Sequence, residues 1–334
     1  MTDLWQDPED AQLARAIFGE VDRQAVEAMV LDWAAGQGFG GARLASIEIS
    51  VGAAATLELA DGSKIVVKTW SGDTAAPGLS AQLQVQAAMS KQGFPAPAVL
   101  APLSPLGPGH AAAMSHERGG EPTDARIPAV RRHMAQGLAL LLREADACRA
   151  IAGLPRRELP PEGVIWPKPH NSLFDFAKTA EGAEWIDDIA ESALATMRKA
   201  GDRVVVGHND WSAKNMRMGP QGIAVVYDWD AIFLDRETFI LGSAVAHFQV
   251  TWELPVPETP TAEAMAAFLR DYEQARGADL TAFELEEVAA AATYARAYNA
   301  RCEHAIDPVG ARWRGSSREN LRSNGPYTAA ALRS

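Results

Sequence analysis

Between residues 203 and 228 the chain departs from the pattern on either side of it. Before this stretch, Val130, Met134, Leu138, Leu141, Leu142 and Ala145 form one apolar stripe at helical spacing, and Trp185, Ile189, Ala193 and Met197 form another. After it, helical patterns return at 261–276 and 281–302. The interruption consists of an apolar run, RVVV (203–206), a polar octet, HNDWSAKN (208–215), then MRM (216–218), the turn GPQG (219–222) and IAVVYD (223–228). This predicts a strand, a loop and a hairpin set into a helical half, with the polar octet at a strand end.

The first half has the opposite balance. RQAVEAMVLDWAAGQG (23–38) reads as a helix that ends at glycines. The chain then changes to a period of two: RLASIEIS (43–50), TLELA (56–60) and KIVVKTW (64–70) read as strands. Asp61-Gly62 suits a two-residue hairpin turn with positive φ. One helix, 79–93, follows, then a Pro-rich extended stretch, 94–109, and a short strand, 110–114. The expected fold is α+β and two-lobed: a small antiparallel β-sheet lobe with one main helix over 1–114, a hinge at 115–120, and a larger, mostly helical lobe over 121–334. Thr281 followed by Glu284 predicts a capping box at the last long helix.

Composition limits the function. A net charge of -12 argues against non-specific nucleic-acid binding. No run approaches the ~18 apolar residues of a membrane helix, and the acidic opening MTDLWQDPED predicts no secretory leader there. Cys148 and Cys302 match no metal spacing and suit a reduced, cytoplasmic compartment as buried thiols. Residues 250–307 hold eleven Asp/Glu against four Lys/Arg, which leaves room for a cationic ligand.

His208, Asp210 and Asn215 share the octet, and Asp228 closes the hairpin that folds back beside it. Two carboxylates and an amide are hard oxygen donors, a set that favours Mg²⁺. A carboxylate near a metal that is not needed as its ligand can orient a hydroxyl and accept its proton. Phosphoryl transfer requires this equipment, because its catalysis is mostly positioning and charge neutralisation.

His208-x-Asp210-x-x-x-x-Asn215, with Asp228 thirteen residues on, resembles the H-x-D-x-x-x-x-N and metal Asp of the aminoglycoside phosphotransferase and choline kinase superfamily, small-molecule kinases with a protein-kinase-like fold. DWD (228–230) is similar to that superfamily's D-x-D, and the order of parts agrees over about 45–315. The resemblance implies a transferase that uses ATP or GTP with Mg²⁺ to phosphorylate a hydroxyl of a small molecule. It implies Asp210 as base and His208 as the brace of its loop. It makes Asn215 and Asp228 the metal ligands, with Asp230 a second-metal or positioning carboxylate. Lys68 would contact the α- and β-phosphates, SVGAAA (50–55) with Gly52 would cover them, and 114–118, including Met114 and His116, would line adenine.

For the acceptor, Trp252, Glu253, Tyr298, Asn299 and Glu303 are the candidates. The acidic segment makes a cationic aminoglycoside-type antibiotic, and hence antibiotic resistance, the first expectation. A kinase for a nucleoside, sugar or amino alcohol is the alternative, and a weakly active nucleotide-binding module is another. No nucleic-acid or membrane partner is expected; a monomer or homodimer is. The sequence departs from the family at two places. Helix 79–93 has Gln82 where relatives carry the Glu that pairs with the strand Lys, leaving Gln82 or Gln86 as partner. Ile240 falls near the carboxylate that braces the loop in relatives, leaving Asp235 or Glu237 as substitutes.

Overall fold

The computed structural model describes residues 8–117, 119–171, 173–201, 203–310 and 316–333. The elements in chain order are α1 (Pro8–Phe18), α2 (Arg23–Gly36), β1 (Arg43–Ile49), β2 (Ala53–Glu58), β3 (Lys64–Trp70), α3 (Ala76–Lys91), β4 (Val99–Leu106) and β5 (Gly109–Ser115). Then come α4 (Pro128–Glu144), α5 (Glu184–Met197), β6 (Val204–His208), β7 (Met216–Gly219), β8 (Gly222–Val226), β9 (Ile232–Arg236), α6 (Glu237–His247), α7 (Ala262–Arg276), α8 (Ala282–Ile306), α9 (Ser317–Asn324) and α10 (Ala329–Arg333). The chain forms two compact units, Met1–Arg118 with Ile151–Leu154, and Gly119–Ala150 with Pro155–Ser334. Among the described residues no helix is long and apolar enough to cross a membrane.

The first unit is a five-stranded antiparallel sheet in the order β1-β2-β3-β5-β4. Alternation along β2 and β3 buries Ala53, Ala55, Leu57, Ile65 and Val67, which pack with Val26, Val30 and Trp33 of α2 and with Ile17 and Phe18 of α1. Fully burying a Val or Leu contributes about 1.5–3 kcal/mol, so this face holds the sheet. The opposite face carries Trp70, Ala112 and Met114 against Leu79 and Leu83 of α3. Lys68 pairs with Ala112 and therefore belongs to that second face.

The turn at Asp61-Gly62 is longer than the two residues expected. Glu58 pairs with Lys64, and the Leu59 N–H donates to the Ser63 carbonyl at 2.8 Å. Asp61 Oδ1 accepts from the Ser63 N–H at 2.9 Å, which stabilises this wider turn, and Gly62 takes the positive φ of 80°. The Pro-rich stretch is a strand at the sheet's edge. Pro102 and Pro105 lack a donor, and β4 loses register between Ala101 and Ser104, as an edge allows.

The second unit is built round α6, in which ten of eleven residues are buried. Phe239 of α6 packs with Ile186, Ala190 and Leu194 of α5 and with Ala290, Ala291 and Tyr294 of α8. Gly242 lets α6 and α8 approach closely, since a Cβ there would lie 2.5 Å from that of Ala291. The stripe expected on α4 is the buried face of that helix, and the capping box of Thr281 and Glu284 forms as its spacing predicts. Strand β6 pairs antiparallel with β9, and β7 with β8. Cys148 and Cys302 are buried free thiols.

Candidate active site

Strand β6 ends at His208, which is fully buried. Its Nε2 lies 3.0 Å from the Tyr227 carbonyl oxygen, and its Nδ1 accepts the Asp210 N–H at 3.2 Å. One nitrogen must therefore donate and the other accept, which fixes the neutral tautomer protonated at Nε2. Burial pushes the imidazole below its usual range, in the same direction. The loop beyond is pinned from several sides. Asn209 N–H donates to Ala231 O, Ala213 N–H to Phe248 O and Lys214 N–H to Val250 O, at 2.9, 3.1 and 2.8 Å. Trp211 is an anchor beneath it: 1% exposed, its indole N–H donates to the Met134 carbonyl of α4 at 2.9 Å. Gly137 leaves room for that ring, because a Cβ there would lie 3.2 Å from Trp211 Cζ2 and 2.5 Å from Ile223 Cδ1.

The loop holds Asp210 at both carboxylate oxygens. Ser212 Oγ donates to Oδ1 at 3.2 Å, and Lys214 Nζ stands 2.8 Å from Oδ2. Burial opposes ionisation of Asp210, but the Lys214 ammonium and its hydrogen bond, the His208 ring and the Asn215 amide outweigh it. The group is held down to about 2. Asn215 is buried, and its side-chain NH₂ donates to the Asp210 carbonyl at 2.9 Å. This orientation makes Asn215 Oδ1 the atom that can accept a cation.

Asp228 follows β8 with φ 59° and ψ 47°, and it is the one non-glycine residue with positive φ among those described. Left-handed backbone costs an L-residue about 1–2 kcal/mol, less for Asp. The side chain projects from a strained, exposed turn closed by the Ala231 N–H on the Asp228 carbonyl at 2.9 Å. The charges of Asp210, Asp228 and Asp230 all reach the buried His208 ring. Among the described residues no group of three or more His, Cys, Asp and Glu is placed to hold a metal. The residues expected to hold a hard cation, Asn215, Asp228 and Asp230, carry oxygen donors of the type such an ion takes.

In the first unit, Lys68 is half-buried, with Nζ 5.7 Å from the Trp70 ring centroid. Gly52 follows β1, and its φ is not positive, so conformational freedom is not the reason for glycine there. A Cβ at Gly52 would lie 2.6 Å from the Thr69 carbonyl oxygen, so close backbone approach excludes a side chain. Met114 lies near the end of β5, and Gln86 donates to the Pro97 carbonyl at 2.8 Å and reaches the Met114 sulfur at 3.6 Å. Gln86 therefore serves β5 and does not hold Lys68. His116 Nδ1 is buried with no hydrogen-bond partner among the described residues, and Arg118 lies outside them.

The model of the APH phosphotransferase enzyme family matches residues 48–285. The chain belongs to this family. No curated protein matches it. Solved structures similar to this phosphotransferase include the amicoumacin kinase hAmiN in complex with AMP-PNP, Ca²⁺ and Ami. That structure is 12% identical, has a TM-score of 0.66, and the match covers 92% of this chain and 97% of that one. A microcompartment-associated aminopropanol kinase is 17% identical, with TM-score 0.60 and coverage of 86% and 94%. A choline/ethanolamine kinase family protein from Mesorhizobium loti is 13% identical, with TM-score 0.57 and coverage of 91% and 99%. At such identities the likeness is one of fold, and that fold is the α+β, protein-kinase-like one. The chain is a small-molecule phosphotransferase.

On this phosphotransferase the expected acceptor residues divide. Trp252 is 74% exposed and its ring centroid lies 4.7 Å from Lys214 Nζ, which places it beside Asp210. Tyr298 bonds His170 Nδ1 at 2.9 Å, and the charges of Lys214 and Asp210 reach that His170 ring. Asn299 pairs with His247 at 2.9 Å. Glu253 is occupied by Arg217 at 2.6 Å. Glu303 is half-buried at the start of α9, where its oxygens accept the Ser317 and Arg318 N–H groups at 3.0 and 2.8 Å. It serves the tail.

The family's second brace is also replaced. Glu237 is taken up by Tyr272 and Arg276, at 2.8 Å each, and Asp235 bonds the Arg236 N–H. The loop bond is supplied by Ser243 on α6, whose Oγ donates to the Asn209 carbonyl at 2.9 Å. Sequence reasoning passed over Ser243, Ser212 and Lys214. The Lys214 spacing of four from Asp210 was the available signal.

Proposed function

We propose that this phosphotransferase moves the γ-phosphoryl of ATP or GTP to a hydroxyl of a small molecule, with Asp210 as base. The observation that supports the reading is the carboxylate of Asp210, held at both oxygens on a loop pinned by its backbone, with the Asn215 side chain bonded to the same loop. Asp210 orients the acceptor hydroxyl and takes its proton as the acceptor oxygen bonds phosphorus and the bond to the β-phosphate oxygen breaks. Asn215 Oδ1 and Asp228, with Asp230 supporting, hold Mg²⁺, which when bound offsets the charge of the phosphates. Lys68 steadies the α- and β-phosphates, the Gly52 turn brings backbone over them, and Met114 and His116 line the base. His208 keeps the loop in register through its two hydrogen bonds.

The acceptor carries few positive charges. The acidity of 250–307 suggests a cationic aminoglycoside, but six of its eleven carboxylates are engaged elsewhere. Glu253, Asp271, Glu273 and Glu284 pair with arginines, and Glu287 and Glu303 bind backbone N–H groups. The surface beside Asp210 offers Trp252, His170 and Tyr298, which favour a ring or an alkyl alcohol. Fold relatives that phosphorylate amicoumacin and aminopropanol are consistent with that range.

The test is transfer of label from γ-labelled nucleotide to a panel of neutral, aromatic, amino-alcohol and aminoglycoside hydroxyl compounds in Mg²⁺. Asp210→Ala should abolish transfer to every acceptor and leave nucleotide binding intact. Full activity in that variant would end the reading.

A further inference from the structure

The loop places a second charged side chain on the base. Lys214 Nζ is 2.8 Å from Asp210 Oδ2 and 4.7 Å from the Trp252 ring centroid, so its ammonium lies between a carboxylate and an indole. Its side chain is 19% exposed, and its backbone N–H is tied to the Val250 carbonyl at 2.8 Å. Trp252 is 74% exposed, so burial does not hold it there, and the Lys214 ammonium lies over its ring.

We propose that Lys214 is a positioning residue for phosphoryl transfer, and that Trp252 is the support that keeps it on Asp210. The proposal rests on Asp210 being the base. A carboxylate has about four lone-pair directions. The Ser212 hydroxyl uses one on Oδ1 and the Lys214 ammonium one on Oδ2, which fixes the rotation of the carboxylate about its Cβ–Cγ bond. One lone pair on each oxygen is left in a set direction for the acceptor hydroxyl. Without Lys214 the group keeps Ser212 on Oδ1 but loses its ammonium partner on Oδ2 and can turn, so fewer encounters have the acceptor oxygen in line. Nucleotide binding does not depend on that direction. The loss should therefore fall on the chemical step and on acceptor use.

Trp252 enters through Lys214. Its removal frees the ammonium to leave Oδ2, so a large part of its effect is the same effect. The two substitutions together should then do little more than Lys214→Met by itself.

The experiment measures kcat and KM for nucleotide and for the best acceptor of the panel in Lys214→Met, Lys214→Arg, Trp252→Ala, the double variant Lys214→Met/Trp252→Ala and Asp210→Asn, with thermal midpoints as a check on folding. Lys214→Met should lower kcat about 10- to 100-fold with nucleotide KM within about twofold. Lys214→Arg should recover most of it, because a guanidinium keeps the charge and the contact. Trp252→Ala should fall between, and the double variant should match Lys214→Met within about threefold. A wild-type kcat in Lys214→Met, or strictly multiplicative losses in the double variant, would overturn the proposal. If Asp210→Asn is inactive while Lys214→Met is normal, only this inference fails. If Asp210→Asn turns over normally, the base assignment fails with it.

Discussion

The loop at 208–215 and the acidic segment at 250–307 carry the same kinds of side chain and use them in opposite ways. On the loop no carboxylate is needed by the backbone: Asn209, Ala213, Lys214 and Asn215 donate to main-chain carbonyls, Tyr227 N–H donates to the Asn215 carbonyl, and the neutral side chains of His208, Asn215 and Ser243 meet the rest. Its charged groups are thereby left for one another and for a ligand. In the acidic segment the carboxylates satisfy neighbours. Glu303 holds the start of α9, Glu287 accepts the Gly201 N–H and the Thr238 hydroxyl, and Glu273 receives the Leu280 N–H and Arg333. A carboxylate reads as functional where the main chain does not need it. Net charge along a segment cannot make that distinction.

Two substitutions would break the contrast if it were false. Asp210→Asn keeps the shape of the side chain and removes its basicity. It should lower kcat by about 10²–10⁴ in a protein that remains folded at 25 °C, read by steady-state kinetics beside calorimetry. Glu303→Ala should do the reverse. Two buried N–H groups lose their acceptor, at about 1–3 kcal/mol for each group left unsatisfied, so stability falls by a few kcal/mol while kcat at 25 °C changes little. Loss of activity in folded Glu303→Ala would restore it to the acceptor side.

Asp235 is an intermediate case that sharpens the comparison. It lies on β9, which pairs with the strand leading into the loop, and is 3% exposed. Burial pushes it up to about 6, against the pull of Arg157, whose Nη1 is 3.7 Å from Oδ2. Its folded value is above the unfolded one, so the folded state binds the proton more tightly. The contribution to stability is full below the ordinary carboxylate value of 3.8 and is lost as pH rises through about 6. That difference corresponds to roughly 3 kcal/mol. Asp235→Asn should therefore raise the unfolding free energy at pH 8 relative to wild type by up to that amount, and by nothing at pH 4, in paired denaturant titrations. An equal gain at both values would show that packing, not ionisation, was relieved.

How far the sequence was legible depends on whether a residue's partner is near in the chain or regular in spacing. The first sheet, α4 and the capping box at Thr281 could be read from period and spacing. Helix α6 could not, because a helix buried on every side has no polar face to give a period. Strand β4 was hidden by prolines that only an edge position tolerates. At the site, His208, Asp210, Asn215 and Asp228 stand at fixed spacing and could be picked out. Trp211 carries no signal in the sequence, since its partner, the Met134 carbonyl, is 77 residues away and belongs to the main chain. The same limit hid Glu303.

Ser243 gives the smallest effect and the finest test of the contrast. Its hydroxyl donates to the Asn209 carbonyl, one residue before Asp210, and the residue is buried on α6. Other groups also reach Asn209: the Ala231 carbonyl accepts its N–H, Arg157 lies 3.3 Å from its side-chain oxygen, and the Asp235 carboxylate acts on its side chain. Ser243→Ala removes one neutral hydrogen bond, about 1 kcal/mol. Because the loop stays pinned at Ala213 and Lys214, most of that loss should appear as stability, with kcat reduced no more than about fivefold. If kcat fell as far as in Asp210→Asn, the loop would depend on α6 for its working geometry. The backbone bonds that distinguish it from the acidic segment would then be insufficient to hold the base.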